Sequence, residues 1–71
     1  MRIGQRIRQL RRERGLSQQK LANEIDAWQN NVHLWETGKA KPRKRSIEKI
    51  CAALDIALDE FMMGVDVSDI R

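Results

Sequence analysis

Two adjacent carboxamides, Gln29 and Asn30, stand at the head of a segment that carries no Lys or Arg from Leu21 to Gly38. A carboxamide both donates and accepts, which matches the N7 and N6 groups that adenine shows in the major groove of DNA. His33 and Leu34 follow three and five residues after Asn30 and Gln29, on the outward side of a helix started there. Leu34 could meet only apolar groups, such as a thymine methyl. Immediately downstream, Lys39-Ala40-Lys41-Pro42-Arg43-Lys44-Arg45 places five cations in seven residues. Like charges this dense repel one another unless a polyanion neutralises them. Neutral amides beside a cationic loop divide the labour of nucleic-acid recognition: cations on phosphates position the protein, and amides on base edges select sequence. The bland alternative is a solvated helix face followed by a solvated linker. Other chemistry is poorly represented. Cys51 is the only cysteine and His33 the only histidine, so neither a disulfide nor a Cys/His metal cluster is expected. No nucleophile–base–orienter set, glycine-rich phosphate loop or paired catalytic carboxylates is visible, and no enzyme activity, metal or cofactor is expected.

The elements that must position these groups follow from periodicity and turn chemistry. Ile3, Ile7 and Leu10 fall at i, i+4 and i+7 of a first helix over about 3–14, closed by Gly15 as a left-handed stop. Ser17 can cap a second helix over about 18–25, with Leu21 and Ile25 inward and the small Ala22 permitting a close helix crossing. Asp26 stands where the chain must turn. A third helix over about 29–37 buries Val32 and Trp35 and stops at Gly38. Ser46 is the expected cap of a fourth helix over 47–54, with Ile47, Ile50, Cys51 and Leu54 inward. A fifth, over about 58–63, offers Leu58, Phe61 and Met62. Residues 65–70 alternate with a period of two and could form a short strand.

Composition bounds the rest. Seventy-one residues allow one small domain. The longest apolar run is Ile50-Cys51-Ala52-Ala53-Leu54, too short for a membrane span, and Arg2 and Arg6 interrupt any signal-peptide core. A reducing, cytoplasmic setting is expected. Residues 1–49 carry thirteen Lys/Arg against five Asp/Glu, net +8; residues 50–71 carry one Arg against five acids, net −4. A basic body with an acidic end suggests a polyanion on one face and a different partner on another.

These residues together resemble the phage-repressor and Cro-like helix-turn-helix family. The match rests on Ile3-Gly4, Ile7-Arg8-Gln9-Leu10-Arg11, Arg14-Gly15-Leu16-Ser17-Gln18, Leu21-Ala22, Val32, Trp35-Glu36, Gly38-Lys39, Lys41-Pro42, Ile50, Ala53-Leu54 and Leu58-Asp59-Glu60-Phe61. It spans about 3–63. The resemblance implies an all-α bundle of five short helices, a lambda-repressor-like domain over 1–64 with its helix-turn-helix in helices 2 and 3, and a tail over 65–71. It implies base contacts from Gln29, Asn30, His33 and Leu34. It implies backbone contacts from Gln18, Gln19, Trp28, Asn31, Lys39, Lys41, Arg43 and Lys44. It pairs Arg11 with Glu36 as a structural link, treated as an exposed pair that orients more than it stabilises. It also implies a homodimer, with Phe61, Met62, Met63, Val65 and Val67 as the candidate interface. The expected function is a sequence-specific double-stranded-DNA-binding transcriptional regulator, a repressor acting on a near-palindromic operator.

The chain departs from the family pattern at four positions. Asp26 and Asp55 stand where the family usually has Gly, and Trp28 and Ala57 where it has Ser or Thr. Two turn glycines and two helix caps are thus replaced. Trp28 could stack on DNA, fold onto the core beside Ala27, or plug a partner surface. That last option sustains a second reading, a protein-interaction module that uses Trp28, Leu34 and 65–70. A third is the antitoxin of a toxin–antitoxin pair, and a protein antagonist or toxin partner is open under either.

Overall fold

The computed structural model describes residues 1–66. It contains α1 (Ile3–Glu13), α2 (Gln18–Glu24), α3 (Gln29–Glu36), α4 (Lys44–Ala53) and α5 (Leu58–Met62), and no strand among the described residues. The proposed strand over 65–70 and the Val67 interface lie outside the described residues, save for Val65 and Asp66.

The helices close in the same way at four of their C-termini. After α1, α2, α3 and α4 the chain turns through a residue with positive φ, respectively Gly15 (68°), Asp26 (56°), Gly38 (79°) and Asp55 (54°). In each case the next N–H reaches back to the third-last helical carbonyl: Leu16 to Arg11, Ala27 to Ala22, Lys39 to Leu34 and Ile56 to Cys51, at 2.9–3.1 Å. This double-bonded stop satisfies carbonyls that a helix end otherwise leaves open. Two of the four use aspartate where glycine would be unstrained. The left-handed conformation costs a residue bearing Cβ about 1–2 kcal/mol, partly offset by the larger chain entropy of glycine in the unfolded state. Asp26→Gly and Asp55→Gly are each expected to raise stability by about 0.5 kcal/mol, read as a higher urea midpoint with unchanged slope.

Cap chemistry is uneven. The Ser17 hydroxyl accepts from the Lys20 N–H at 3.0 Å, so α2 is capped as expected. Trp28 and Ala57 occupy the N-cap positions of α3 and α5 with no side-chain cap bond. Helix α4 corrects an expectation: it begins at Lys44 with Arg43 as N-cap, and Ser46 lies within it, half-buried. Lys and Arg are good helix formers, so the helix starts as soon as Pro42 no longer forbids it.

The core gathers Ile3, Ile7, Leu10, Leu21, Ala22, Ile25, Val32, Trp35, Ile50, Cys51, Leu54, Phe61 and Val65. Periodicity had assigned the first eleven of these inward except Ala22, which was expected at a close helix crossing. Burial pushes the Cys51 thiol above its ordinary pKa, as suits a small buried hydrophobe. Leu58 is exposed rather than inward, because it opens the short surface helix α5. Phe61 is fully buried and Val65 nearly so. Both fill the chain's own core and are not presented to a partner, which corrects their placement in an interface. Of that candidate patch, Met63 is exposed and Met62 half-buried.

Two arginines of α1 hold the C-terminal half. The Arg6 guanidinium donates to the Phe61 and Glu60 carbonyls, both at 2.9 Å, at the end of α5. Arg14 donates to the Leu54 carbonyl at the end of α4. Cations suit helix C-termini, where open carbonyls and the negative dipole end lie. These contacts fix the helices around α3.

Candidate nucleic-acid interface

Helix α3 has two chemically distinct sides. Val32, Trp35 and Glu36 are buried; Gln29, Asn30 and His33 are exposed; Asn31 and Leu34 are half-buried. The exposed side thus carries the predicted amides, while Leu34 is partly tucked under the following turn, where its carbonyl accepts from Lys39 and Ala40.

The buried side is anchored by a linked set of polar contacts. Arg11 Nε donates to Glu36 Oε2 at 2.7 Å and its terminal nitrogen Nη2 to Oε1 at 2.9 Å, a two-pronged pair between α1 and α3. The other terminal nitrogen, Nη1, donates to the Leu16 carbonyl at 2.6 Å. Both residues are 7% exposed. The family resemblance had supplied this pair, but as a surface contact; its burial changes the energetics. Removing one partner of a buried pair strands a charge, whereas an exposed pair contributes little. Burial alone would raise the Glu36 pKa. Hydrogen bonds from Arg11 and Gln18 and the positive charges of Arg11 and Arg8 outweigh it and hold the carboxyl below its ordinary value. The same hydrogen bond holds the Arg11 pKa above its usual value. No buried side-chain nitrogen or oxygen among the described residues lacks a partner.

From Glu36 the contacts run to the surface. Gln18 Nε2 donates to Glu36 Oε1 at 3.1 Å, and Gln18 Oε1 accepts from Gln29 Nε2 at 2.7 Å. Gln18, predicted as a backbone contact, is therefore also the brace that fixes the Gln29 carboxamide. A buried ion pair, a bridging amide and an exposed amide form one line from the core to the outer face of α3. Preorientation of this kind removes part of the side-chain entropy that a contact otherwise costs.

Close packing of α1 on α3 rests on Gly4. A Cβ built there would stand 1.9 Å from the Trp35 carbonyl oxygen and 2.9 Å from its carbon. Only a residue without a side chain admits α3 at this depth.

Beside α3, Trp28 is 80% exposed, so the option of folding onto the core is excluded. It lines a groove with Gln19, Asn23, Ala27, Gln29, Asn30 and Asn31. Gln19 donates to Asn23 Oδ1 at 2.8 Å across one turn of α2. Asn23 was not among the predicted site residues; its i+4 spacing from Gln19 was the available signal. Past the other end of α3, Lys39, Lys41 and Arg43 are exposed on the loop into α4, and Lys44 is exposed at the start of α4. The amides that open α3 and the cations that follow its end are thus both left exposed. Among the described residues no helix is long and apolar enough to cross a membrane, and no group of three His, Cys, Asp or Glu side chains converges on a metal position.

Comparison with known proteins agrees with this geometry. A helix-turn-helix domain family model matches residues 4–67. The restriction-modification controller protein C.AhdI from Aeromonas hydrophila is 37% identical, with 83% of this chain and 89% of that one covered at a TM-score of 0.79. SinR, a master regulator for biofilm formation solved in complex with DNA, is 31% identical, with 84% and 97% covered at a TM-score of 0.78. The transcriptional activator BcrR of Enterococcus faecalis is 27% identical over 94% of this chain, which spans only 33% of that activator's length. The chain belongs to the helix-turn-helix domain family and is a DNA-binding transcription regulator.

Proposed function

We propose that the protein represses transcription as a homodimer that places one α3 in each of two successive major grooves of a near-palindromic operator. The half-sites would lie about one helical turn, roughly 34 Å, apart. Gln29 and Asn30 read base edges, with His33 and Leu34 at the margin of the read site. Gln18, Gln19 and Asn31 hold the adjoining backbone, and Lys39, Lys41, Arg43 and Lys44 meet the phosphates. The chain works by binding and catalyses no reaction, in the cytoplasm where DNA is reached directly.

The observation that carries this reading is the fixed Gln29 carboxamide, held by Gln18 at 2.7 Å on the exposed side of α3. An amide locked in place on an otherwise solvated helix has little structural purpose, because exposed side-chain hydrogen bonds contribute little to stability. Its rigidity suits bidentate recognition of adenine.

Two substitutions test it. Gln29→Ala is expected to weaken operator binding by about 1–3 kcal/mol and relax preference at one base position per half-site. Lys39→Ala should weaken all sequences alike and lower the salt slope by about 1. Both are read by titration of duplexes at several salt concentrations. Unchanged affinity and preference in Gln29→Ala would remove α3 from the reading role.

A further inference from the structure

We infer that Trp28 reads a thymine, by packing its indole against the 5-methyl group at the edge of the site read by Gln29 and Asn30. The inference rests on the DNA-reading function proposed above and adds to it a specificity contact of apolar character.

Three observations converge. The first is exposure: Trp28 is 80% exposed, while the chain's other tryptophan, Trp35, is 8% exposed. An indole left in water forgoes the burial that usually stabilises it. It also occupies the N-cap of α3, where Ser or Thr would have supplied a hydrogen bond. The residue therefore gives the free protein neither a buried indole nor a cap bond. The second is location: Trp28 immediately precedes Gln29 and shares a groove with it and with Asn30. Whatever Gln29 and Asn30 touch, the indole meets the adjoining position.

The third is the chemistry of the groove, which selects the occupant. Its lining is five carboxamides, Ala27 and the indole, with no Lys, Arg, Asp or Glu. No charged side chain lines it, so a phosphate would meet only neutral amides there; the dense run of cations lies beyond Gly38, past the other end of α3. Nothing there repels DNA either. A protein partner anchored by tryptophan would be expected to meet further apolar side chains around it, and only Ala27 qualifies. A single apolar group set among amide donors and acceptors instead mirrors the major-groove edge of an A·T pair. That edge presents one methyl beside N7, N6 and O4.

The test uses the full chain and an operator selected from a randomised duplex library. Acrylamide quenching of tryptophan fluorescence reports Trp28 in the free protein, since Trp35 is shielded. On operator binding, quenching of the exposed indole is expected to fall to the level of the buried one. Each thymine is then replaced in turn by uracil, which removes the methyl alone. One replacement per half-site is expected to weaken wild-type binding about fourfold, the value of one methyl removed from water. Trp28→Ser should abolish that difference between thymine and uracil. Because serine restores an N-cap, the variant is expected to melt at or above the wild-type temperature, which separates the loss of reading from a loss of fold.

A flat uracil scan with a protected indole would mean a contact to the sugar-phosphate backbone and would overturn the thymine assignment. A uracil penalty undiminished in Trp28→Ser would overturn it as well. An indole that stays fully quenchable on the bound operator would exclude any DNA contact and point to a protein surface. Failure of the DNA-reading function itself looks different: the library would yield no enriched sequence.

Discussion

Glu36→Ala is expected to cost about 3–5 kcal/mol of folding stability, because it leaves the Arg11 guanidinium buried without its counter-ion. For a chain of this length total stability is on the order of 5 kcal/mol, so the variant should be largely unfolded at 37 °C. The cost arises from desolvation. Arg11 lies 7% exposed, and its Nε and Nη2 lose acceptors at 2.7 and 2.9 Å while only the Leu16 carbonyl remains. Replacing both partners with apolar residues, Arg11→Met with Glu36→Leu, should recover much of the loss, since no stranded charge remains. The double variant should still read DNA poorly, because Gln18 loses the Glu36 oxygen that holds it at 3.1 Å. Thermal melting followed by Trp35 emission measures the first effect, and operator titration the second. A Glu36→Ala melting temperature within about 4 °C of wild type, equivalent to at most about 1 kcal/mol, would contradict the buried pair.

The same carboxylate makes stability depend on pH, with a definite sign. The folded-state pKa of Glu36 lies below its ordinary value of 4.5. The folded state thus binds the proton less readily than the unfolded state. The contribution is fully present above about pH 4.5 and is lost as pH falls through the depressed folded value. Melting temperature should decline below pH 4.5 more steeply in wild type than in Glu36→Gln, whose amide does not titrate.

Gly4→Ala is the second large effect. Helix propensity alone favours alanine by about 1 kcal/mol. The added Cβ, however, stands 1.9 Å from the Trp35 oxygen and 3.2 Å from the Glu36 Cα. All the nearest atoms are backbone, so no side chain can rotate away and α1 must separate from α3. Overpacking of this kind costs about 1–3 kcal/mol and occasionally more, which exceeds the propensity gain. Separation would also stretch the Arg11–Glu36 pair and disturb the Gln18 brace. Operator affinity should therefore fall by more than the stability loss would give through unfolding alone. A more stable Gly4→Ala would show that the helices do not approach so closely.

Much of this architecture was legible in the residues because one physical signal dominates a helical core. Ile3, Ile7 and Leu10 repeat at helical spacing, and so do Ile47, Ile50, Cys51 and Leu54. Burial of one stripe follows wherever a helix must pack. The helix stops were equally legible, even where aspartate replaced glycine. Contacts governed by long-range geometry were not. Arg6 and Arg14 donate to carbonyls 55 and 40 residues away; no local pattern encodes which helix end a guanidinium will meet. The Arg11–Glu36 pair came from family resemblance, and spacing gave no indication that it was buried. Phe61 and Val65 stood open between the core and an interface, and both proved part of the core. The direction of Trp28 was open, since an N-cap residue can lie on either side of the entering chain. For the site itself, the exposed amides followed from their place on α3, whereas the Gln18–Gln29 brace depended on how α2 and α3 cross.

Sequence reading by α3 can be checked by selection from a randomised duplex library at about 150 mM salt. The predicted result is a near-palindrome with A-containing half-sites about one helical turn apart, in which Gln29→Ala loses preference at one adenine per half-site. A pool without enrichment, or binding that vanishes with added salt whatever the sequence, would contradict it.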